Sequence, residues 1–376
     1  MMSCNSLMVA TAALVGNNLA TDKSLATLPL AAQFIAVMCT SIPAAMVMQR
    51  IGRKKAFLIA CFFGVGGGIL TSTAILAGNF WQFVGGVVCF GIFNGFGNYF
   101  RFTAADSVEP AYKSKAVSYT MLGGVVAAIT GPTLARWSRE WIASAEFAGS
   151  YVSVIVLYLG IFGALCFLHI ENEDFGRARG RTGGRPLIEI ARQPDYMVAV
   201  ICGMLGYAIM SFVMTATPLA MNHAAFMFDD TAIVIQWHVM AMFAPSFFTG
   251  SLILRFGVLR IMAAGAVFGL ACAGINLAGT EFIHFLIALI LLGLSWNFLF
   301  VGATTLLTET YRSEERNKAQ ALNDFIVFST VSLGSLSSGV LQNAFGWQAI
   351  NKGVLPPLLL ILLAIGWLAR YRARTR

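Results

Sequence analysis

The chain has 376 residues, of which 58% are hydrophobic and only 11% charged, with a net charge of +8 and a mean hydropathy of +0.75. Soluble domains keep roughly a quarter of their residues charged, so this composition excludes a water-soluble globule. The positive charge is also too sparse along the chain for a nucleic-acid surface, and it is explained better by membrane topology.

Apolar runs of about twenty residues, the length that crosses roughly 30 Å of hydrocarbon, recur from one end to the other. Twelve spans are predicted at 3–20, 26–48, 56–77, 80–103, 116–136, 149–170, 196–221, 231–254, 258–278, 281–308, 320–344 and 353–370. No Lys or Arg precedes the first, so it does not resemble a secretory signal peptide. Of the 25 Lys and Arg, most fall in alternate loops. They are Arg50, Arg53, Lys54 and Lys55; Lys113 and Lys115; Arg177, Arg179, Arg181, Arg185 and Arg192; Arg255 and Arg260; Arg312, Arg316 and Lys318; and Arg370, Arg372, Arg374 and Arg376. The opposite loops hold only Lys23, Arg139 and Lys352, with Arg136 at a boundary. The positive-inside rule then expects both termini and the 171–193 loop in the cytoplasm of a bacterial inner membrane. Five Arg in that loop make contact with anionic lipid plausible. The seven Cys show no CxxC and no paired spacing, which argues against a disulfide framework.

The first half of the chain is echoed in the second. Ala45-x3-Gln49-Arg50-Ile51-Gly52-Arg53-Lys54 is followed at an offset of 205 by Gly250-x3-Leu254-Arg255-Phe256-Gly257. At an offset of 203, Asp106 aligns with Glu309, Lys113 with Arg316, Lys115-Ala116 with Lys318-Ala319, and Gly131 with Gly334. Such a repeat predicts two pseudo-symmetric six-helix halves, 1–170 and 194–376, joined by a linker at 171–193, with the substrate path between them. Asp106 near Arg50 or Arg53, and Glu309 near Arg255, would form charge latches that rocking of the halves must break.

Span 4 carries Asn94, Asn98 and Arg101 along one stripe, with Gly91-x3-Gly95 for close helix approach. These polar residues, with Cys202 and Asp324, are candidates for lining the pathway. Spans 7 and 8 carry Met210-x3-Met214 and His238-x3-Met242. Each pair has the i, i+4 spacing that stacks side chains on one helix face. The connecting loop is about nine residues, so the two spans should run antiparallel, with Met214 level with His238 and Met210 level with Met242. Chance would supply about 0.2 His-x3-Met pairs in such a chain, so the coincidence at matched depth carries weight. Neutral thioethers and an imidazole suit Cu(I), which must bind and also leave. Pro218 and Pro245 remove a helix hydrogen bond beside each pair and predict kinks there. No Walker motif or Ser/His/Asp constellation supports an enzyme, and no cofactor is expected.

The 45–54 segment resembles the signature Gly-x3-Asp-Arg-x-Gly-Arg-Lys of the major facilitator superfamily, with Ala45 and Gln49 at the two departures. Gly131-Pro132 weakly resembles the superfamily's antiporter motif, but Ala127 and Ala135 replace expected glycines, and drug–proton export loses ground. The two Met/His motifs resemble those of the CcoA-like copper importers, whose wider family includes riboflavin transporters. That resemblance implies an all-α membrane protein that imports copper, with Met210, Met214, His238 and Met242 as the metal ligands. Copper would be cargo rather than cofactor, passed to a cytoplasmic copper acceptor in support of haem–copper oxidase assembly. The alternatives are uptake of a small organic solute such as riboflavin, drug–proton export, and a membrane sensor that does not transport.

Overall fold

The structure, a computed structural model, describes residues 1–100, 103, 113–168, 185–312 and 315–375. Arg101 and Asp106 lie outside the described residues. Within them the chain is a bundle of twelve long helices. In the first half these are α1 (Met2–Leu19), α2 (Leu28–Ile51), α3 (Arg53–Ala77), α4 (Phe80–Gly97), α5 (Lys113–Ser138) and α6 (Ala148–Phe167). In the second they are α7 (Pro194–His223), α8 (Phe228–Phe243, continued by Ser246–Phe256), α9 (Val258–Ala278), α10 (Phe282–Thr308), α11 (Arg316–Gly353) and α12 (Leu355–Thr375). Among the described residues, eight helical stretches, or nine when the two pieces of α8 are joined, are long and apolar enough to cross a membrane. Hydrocarbon offers no hydrogen bonds, so the backbone must satisfy itself within each helix.

The repeat is visible in the backbone. Gly52 ends α2 at φ 85° and ψ 156°, and Gly257, its counterpart, ends α8 at φ 88° and ψ 147°. Only glycine takes this conformation without strain, which is why it recurs at the same turn of both halves. The second pair of matched glycines also does one job. Gly131 brings α5 against Ser6 and Leu7 of α1, and Gly334 brings α11 against Ala208 of α7.

Helix packing elsewhere relies on the same device. A methyl group on Gly91 would meet the Gln33 carbonyl and Ala36 of α2 at 2.6 Å, and one on Gly95 would meet Thr40 at 2.7 Å. The Gly91-x3-Gly95 pattern thus lets α4 lie directly on α2. At the α3–α4 crossing, Gly67 and Gly86 face each other in the same way.

The prolines act unequally. Pro43 and Pro218 sit inside α2 and α7, which continue through them. At Pro245 the helix breaks, and the two segments of α8 are bent by 44°. In α11 the break is at Gly346, with φ 74°.

Gly91→Val should force α2 and α4 apart, because no far end of a flexible side chain lies there to yield. Overpacking of this kind costs roughly 1–3 kcal/mol. The expected result is a lower melting temperature of the purified protein by fluorescence-detected unfolding, with Gly85→Val, whose position opens on empty space, as the unaffected control.

Candidate functional site

The interior of the second half is organised by α10, which packs along both α7 and α8. Gly206 of α7 meets Leu299, and Gly293 of α10 meets the His238 carbonyl and Ala241 of α8. The sequence reading had α7 and α8 as direct neighbours. In the structure they touch sparingly, and α10 is the wall they share. A short connection makes two helices antiparallel but does not oblige them to pack along their length.

Met210, Met214, His238 and Met242 are all buried, none more than 7% exposed. His238 Nδ1 lies 2.7 Å from the carbonyl oxygen of Leu289 on α10. A carbonyl only accepts, so Nδ1 carries the proton and donates it. Nε2 is then a bare lone pair, and it is buried without a hydrogen-bond partner. A backbone carbonyl fixing the tautomer of an imidazole in this way is the arrangement by which proteins orient a ligating histidine. The same lone pair would equally accept an N–H or O–H from an organic solute. Among the described residues no three His, Cys, Asp or Glu side chains group together, so a metal here would depend on the thioethers.

One turn deeper lies a set of rings that sequence reasoning did not assemble. Tyr207 of α7 stands edge-on to Trp296 and Phe300 of α10, at 5.5 Å from each. Trp296 and Phe300 are stacked at 4.9 Å. Phe243 of α8 and Phe328 of α11 close the group. Trp296 Nε1 is buried and also lacks a partner. Rings on four helices have no shared sequence period, so only the fold brings them together.

In the first half, Asn94 Nδ2 donates to Asn5 Oδ1 at 2.7 Å, and Gln33 Nε2 donates to the same oxygen at 3.2 Å. Asn94 Oδ1 is buried with no partner. Asn94 therefore belongs to an amide cluster across α1, α2 and α4. Asn5 and Gln33 were missed, although each is an isolated amide in an apolar stretch. Asn98 is half-buried at the end of α4, Cys202 is buried in α7, and Asp324 is exposed on α11 beside Asn323.

The expected charge latches take a different form. Glu309 pairs with Arg372 at 2.9 Å instead of Arg255, and Arg372 also holds Asp195 at 2.6 Å. Arg255 lies over the ring of Phe256. Arg50 is exposed and Arg53 buried, and their proposed partner Asp106 is outside the described residues. The C-terminal helix thus ties down α7 and α10 where the repeat had pointed to the α8–α9 turn. The repeat matched no landmark at Arg372, so repeat logic did not find this pairing.

A second cluster was not anticipated at all. The buried Glu315 carboxylate accepts from Arg185 through its backbone N–H, Nε and Nη2, at 2.7, 3.0 and 2.8 Å, and from the Arg312 N–H. Arg185 Nη2 also donates to the Thr310 carbonyl, and Lys318 Nζ to that of Arg185. The chain entering α7 is therefore clamped beneath the α10–α11 turn.

Between described residues, the ion pair that joins the halves lies at the charge-poor end. Arg136 of α5 meets Asp229 of α8 at 3.0 Å. Beside it, Arg139 sits over the Phe228 ring, and Phe147 meets that ring edge-on at 4.9 Å. Thr27 accepts from Gly339 N–H and donates to the Leu336 carbonyl, joining α2 to α11 at the same end.

Known proteins resemble this one along its whole length. The profile of the Major Facilitator Superfamily matches residues 1–244. The chain belongs to the major facilitator superfamily. It is 40% identical over 359 residues to the riboflavin transporter RfnT of Brucella anthropi, covering 96% of this chain and 90% of that one. It is 25% identical to the MFS-type transporter YdeG of Bacillus subtilis, covering 94% and 86%. Among solved structures, the xylose transporter XylE of E. coli in an inward-open conformation superposes with a TM-score of 0.72 at 13% identity, covering 96% and 92%. The transporter FucP in an outward conformation superposes with a TM-score of 0.58 at 15% identity, covering 99% and 97%.

Two predictions follow from the charged clusters. Cysteines introduced as Arg136→Cys and Asp229→Cys should cross-link through an oxidant and lock the halves at the charge-poor end, abolishing transport until a reductant is added. Single removal of either charge should matter little to stability, because the pair is 37% and 52% exposed and such pairs contribute roughly 0–1 kcal/mol. Arg185 holds the Glu315 carboxyl well below its ordinary value of 4.5. A depressed carboxylate contributes stability above its unfolded value and loses it only as pH falls through the folded one. The melting-temperature deficit of Arg185→Gln should accordingly be full at neutral pH and shrink once the pH drops below the ordinary carboxylate range.

Proposed function

We propose that the chain is a bacterial inner-membrane transporter that moves a small solute into the cytoplasm by alternating access, and that this solute is a planar organic molecule of the riboflavin class. The observation that carries the cargo is the 40% identity, over 96% of the chain, to a protein named as a riboflavin transporter. The ring group Tyr207, Trp296, Phe300, Phe243 and Phe328 supports it, since it offers flat apolar faces for stacking together with an unpartnered indole N–H. Exposed polar edges of such a molecule would find the unpartnered Asn94 carbonyl and His238 Nε2. The distribution of Lys and Arg supports cytoplasmic termini, and the Arg136–Asp229 end would then be the outer seal.

A second reading, import of Cu(I), is favoured by one specific observation. His238 presents an Nε2 lone pair with its tautomer fixed from behind, and the thioethers of Met242 on the same helix and of Met210 and Met214 on α7 are buried. Soft neutral donors of this kind hold Cu(I) reversibly. Under this reading the ion would pass to a cytoplasmic copper acceptor.

The two cargoes separate in one experiment. Cells or proteoliposomes containing the protein are given radiolabelled riboflavin or 64Cu in parallel. Riboflavin accumulation without a copper effect carries the first reading, and 64Cu accumulation alone replaces it with the second. His238→Ala and Met210→Ala should abolish 64Cu uptake under the second reading. Under the first, Met210→Ala should leave riboflavin uptake within about twofold, because an aromatic solute does not need a thioether donor.

A further inference from the structure

The break in α8 is held together by a side chain from another helix. Pro245 has no N–H, so the Ala241 carbonyl loses its helical partner. Around the break the backbone bonds tighten, with Phe247 N–H reaching the Ala244 carbonyl and Phe248 N–H that of Pro245. Asn297 of α10, fully buried, fills the gap. Its Nδ2 donates to the Met242 carbonyl at 2.7 Å and to Ser246 Oγ at 2.6 Å. The single Thr249 hydroxyl proton is shared between Asn297 Oδ1, 2.7 Å from Oγ, and the Pro245 carbonyl oxygen, 2.8 Å from it. The Met242 carbonyl only accepts, so the amide must face it with its nitrogen, and Thr249 fixes that orientation.

Proline alone does not account for the break. Pro43 in α2 and Pro218 in α7 leave their helices continuous. The α8 joint differs in having an amide on the next helix that competes for the carbonyl at the break.

The two segments are also anchored very differently. Phe228–Phe243 buries a full face, including Phe228, Ile235, His238 and Met242. Of Ser246–Phe256 only Thr249 and Ile253 are buried, while Phe247, Phe248 and Leu254 are exposed. At its far end the segment meets Gly257, whose positive φ forms a sharp turn into α9. A segment with few buried contacts, a side-chain joint at one end and a glycine turn at the other is built to move while its neighbour stays.

We propose that Asn297 is a positioning residue that pins a hinge in α8, and that Ser246–Phe256 swings about this pin while Phe228–Phe243 keeps His238 and Met242 in place. Asn297 touches the Met242 backbone, so it also sets the height at which that residue stands. The inference rests on the chain being a major facilitator transporter and is independent of which cargo it moves.

Spin-label amino acids replacing Trp237 and Leu254, both exposed and one on each segment, measure the swing in nanodiscs. The wild-type protein should give a distance distribution that shifts when riboflavin or Cu(I) is added, whichever the uptake assay has shown to be carried. Without any cargo, Asn297→Leu should already broaden or displace that distribution. Asn297→Asp keeps the size and the Thr249 bond but cannot donate to Met242. It should lower Vmax on the order of tenfold with KM within about twofold, because the step lost is a motion. Thr249→Val should fall between Asn297→Asp and wild type. One narrow distance shared by wild type and Asn297→Leu, or wild-type Vmax in Asn297→Asp, overturns the hinge. The substrate-free comparison decides it even where neither riboflavin nor copper is transported.

Discussion

A bilayer supplies no partner for a polar group, and that constraint shapes every element of this protein. The backbone closes its hydrogen bonds within helices, and many hydroxyls turn back onto their own helix. Thr11 bonds Leu7, Thr71 bonds Gly67, and Thr217 bonds Val213, each through the carbonyl one turn earlier. Helices cannot gain from expelling water between them, so they gain from contact, and contact is widest where a glycine removes the side chain. Gly91, Gly67, Gly86, Gly131, Gly206 and Gly293 each mark such a crossing. Against this background, a buried group left without a partner stands out. Asn94 Oδ1, His238 Nε2 and Trp296 Nε1 are three of these. Leaving a buried group unpaired costs roughly 1–3 kcal/mol, a cost that a bound solute would relieve.

Much of the fold was legible because hydropathy and helix length are local properties. The predicted 258–278 coincides with α9, 281–308 lies within a residue of α10, and 56–77 misses only the basic first turn of α3. The repeat was legible for a different reason. Gly52 and Gly257 are fixed by a backbone conformation that no other residue takes freely, so the pattern persists where the rest of the sequence diverges. The 231–254 span was read as one helix because its hydropathy is continuous. The kink expected at Pro245 is there, but Asn297, which bonds the Met242 carbonyl at the break, stands on another helix and leaves no trace in the local pattern.

The site was legible only in part, for the same reason. Spacing placed Met210 with Met214 and His238 with Met242 on single helix faces, and all four are indeed interior. It could not reveal that α10 stands against both helices, fixes the His238 tautomer through Leu289 and brings Trp296 beside Tyr207. Charge latches inferred from the repeat misplaced the partner of Glu309, because Arg372 stands at the end of the last helix, where the repeat offered no matched landmark. Arg185 and Glu315 were invisible because a linker's docking point follows from tertiary geometry alone.

The two halves share a plan but divide its labour. In the first half, α2 runs unbroken through Pro43 and is fastened at the charge-poor end to α11 by Thr27. In the second, its counterpart α8 is fastened at that end to α5 by Asp229, then bends at Pro245. The contact of α8 with the first half therefore sits on its well-packed Phe228–Phe243 segment, and the loosely packed Ser246–Phe256 segment lies beyond the bend. Motion of Ser246–Phe256 can proceed without disturbing that contact. Breaking it requires a larger event, the separation of α5 from α8, with the Thr27 contact of α2 and α11 released as well. Under the proposed hinge, a small step about the α8 bend and a large one between the halves draw on different elements, and pseudo-symmetry with α8 bent where α2 is straight supplies them.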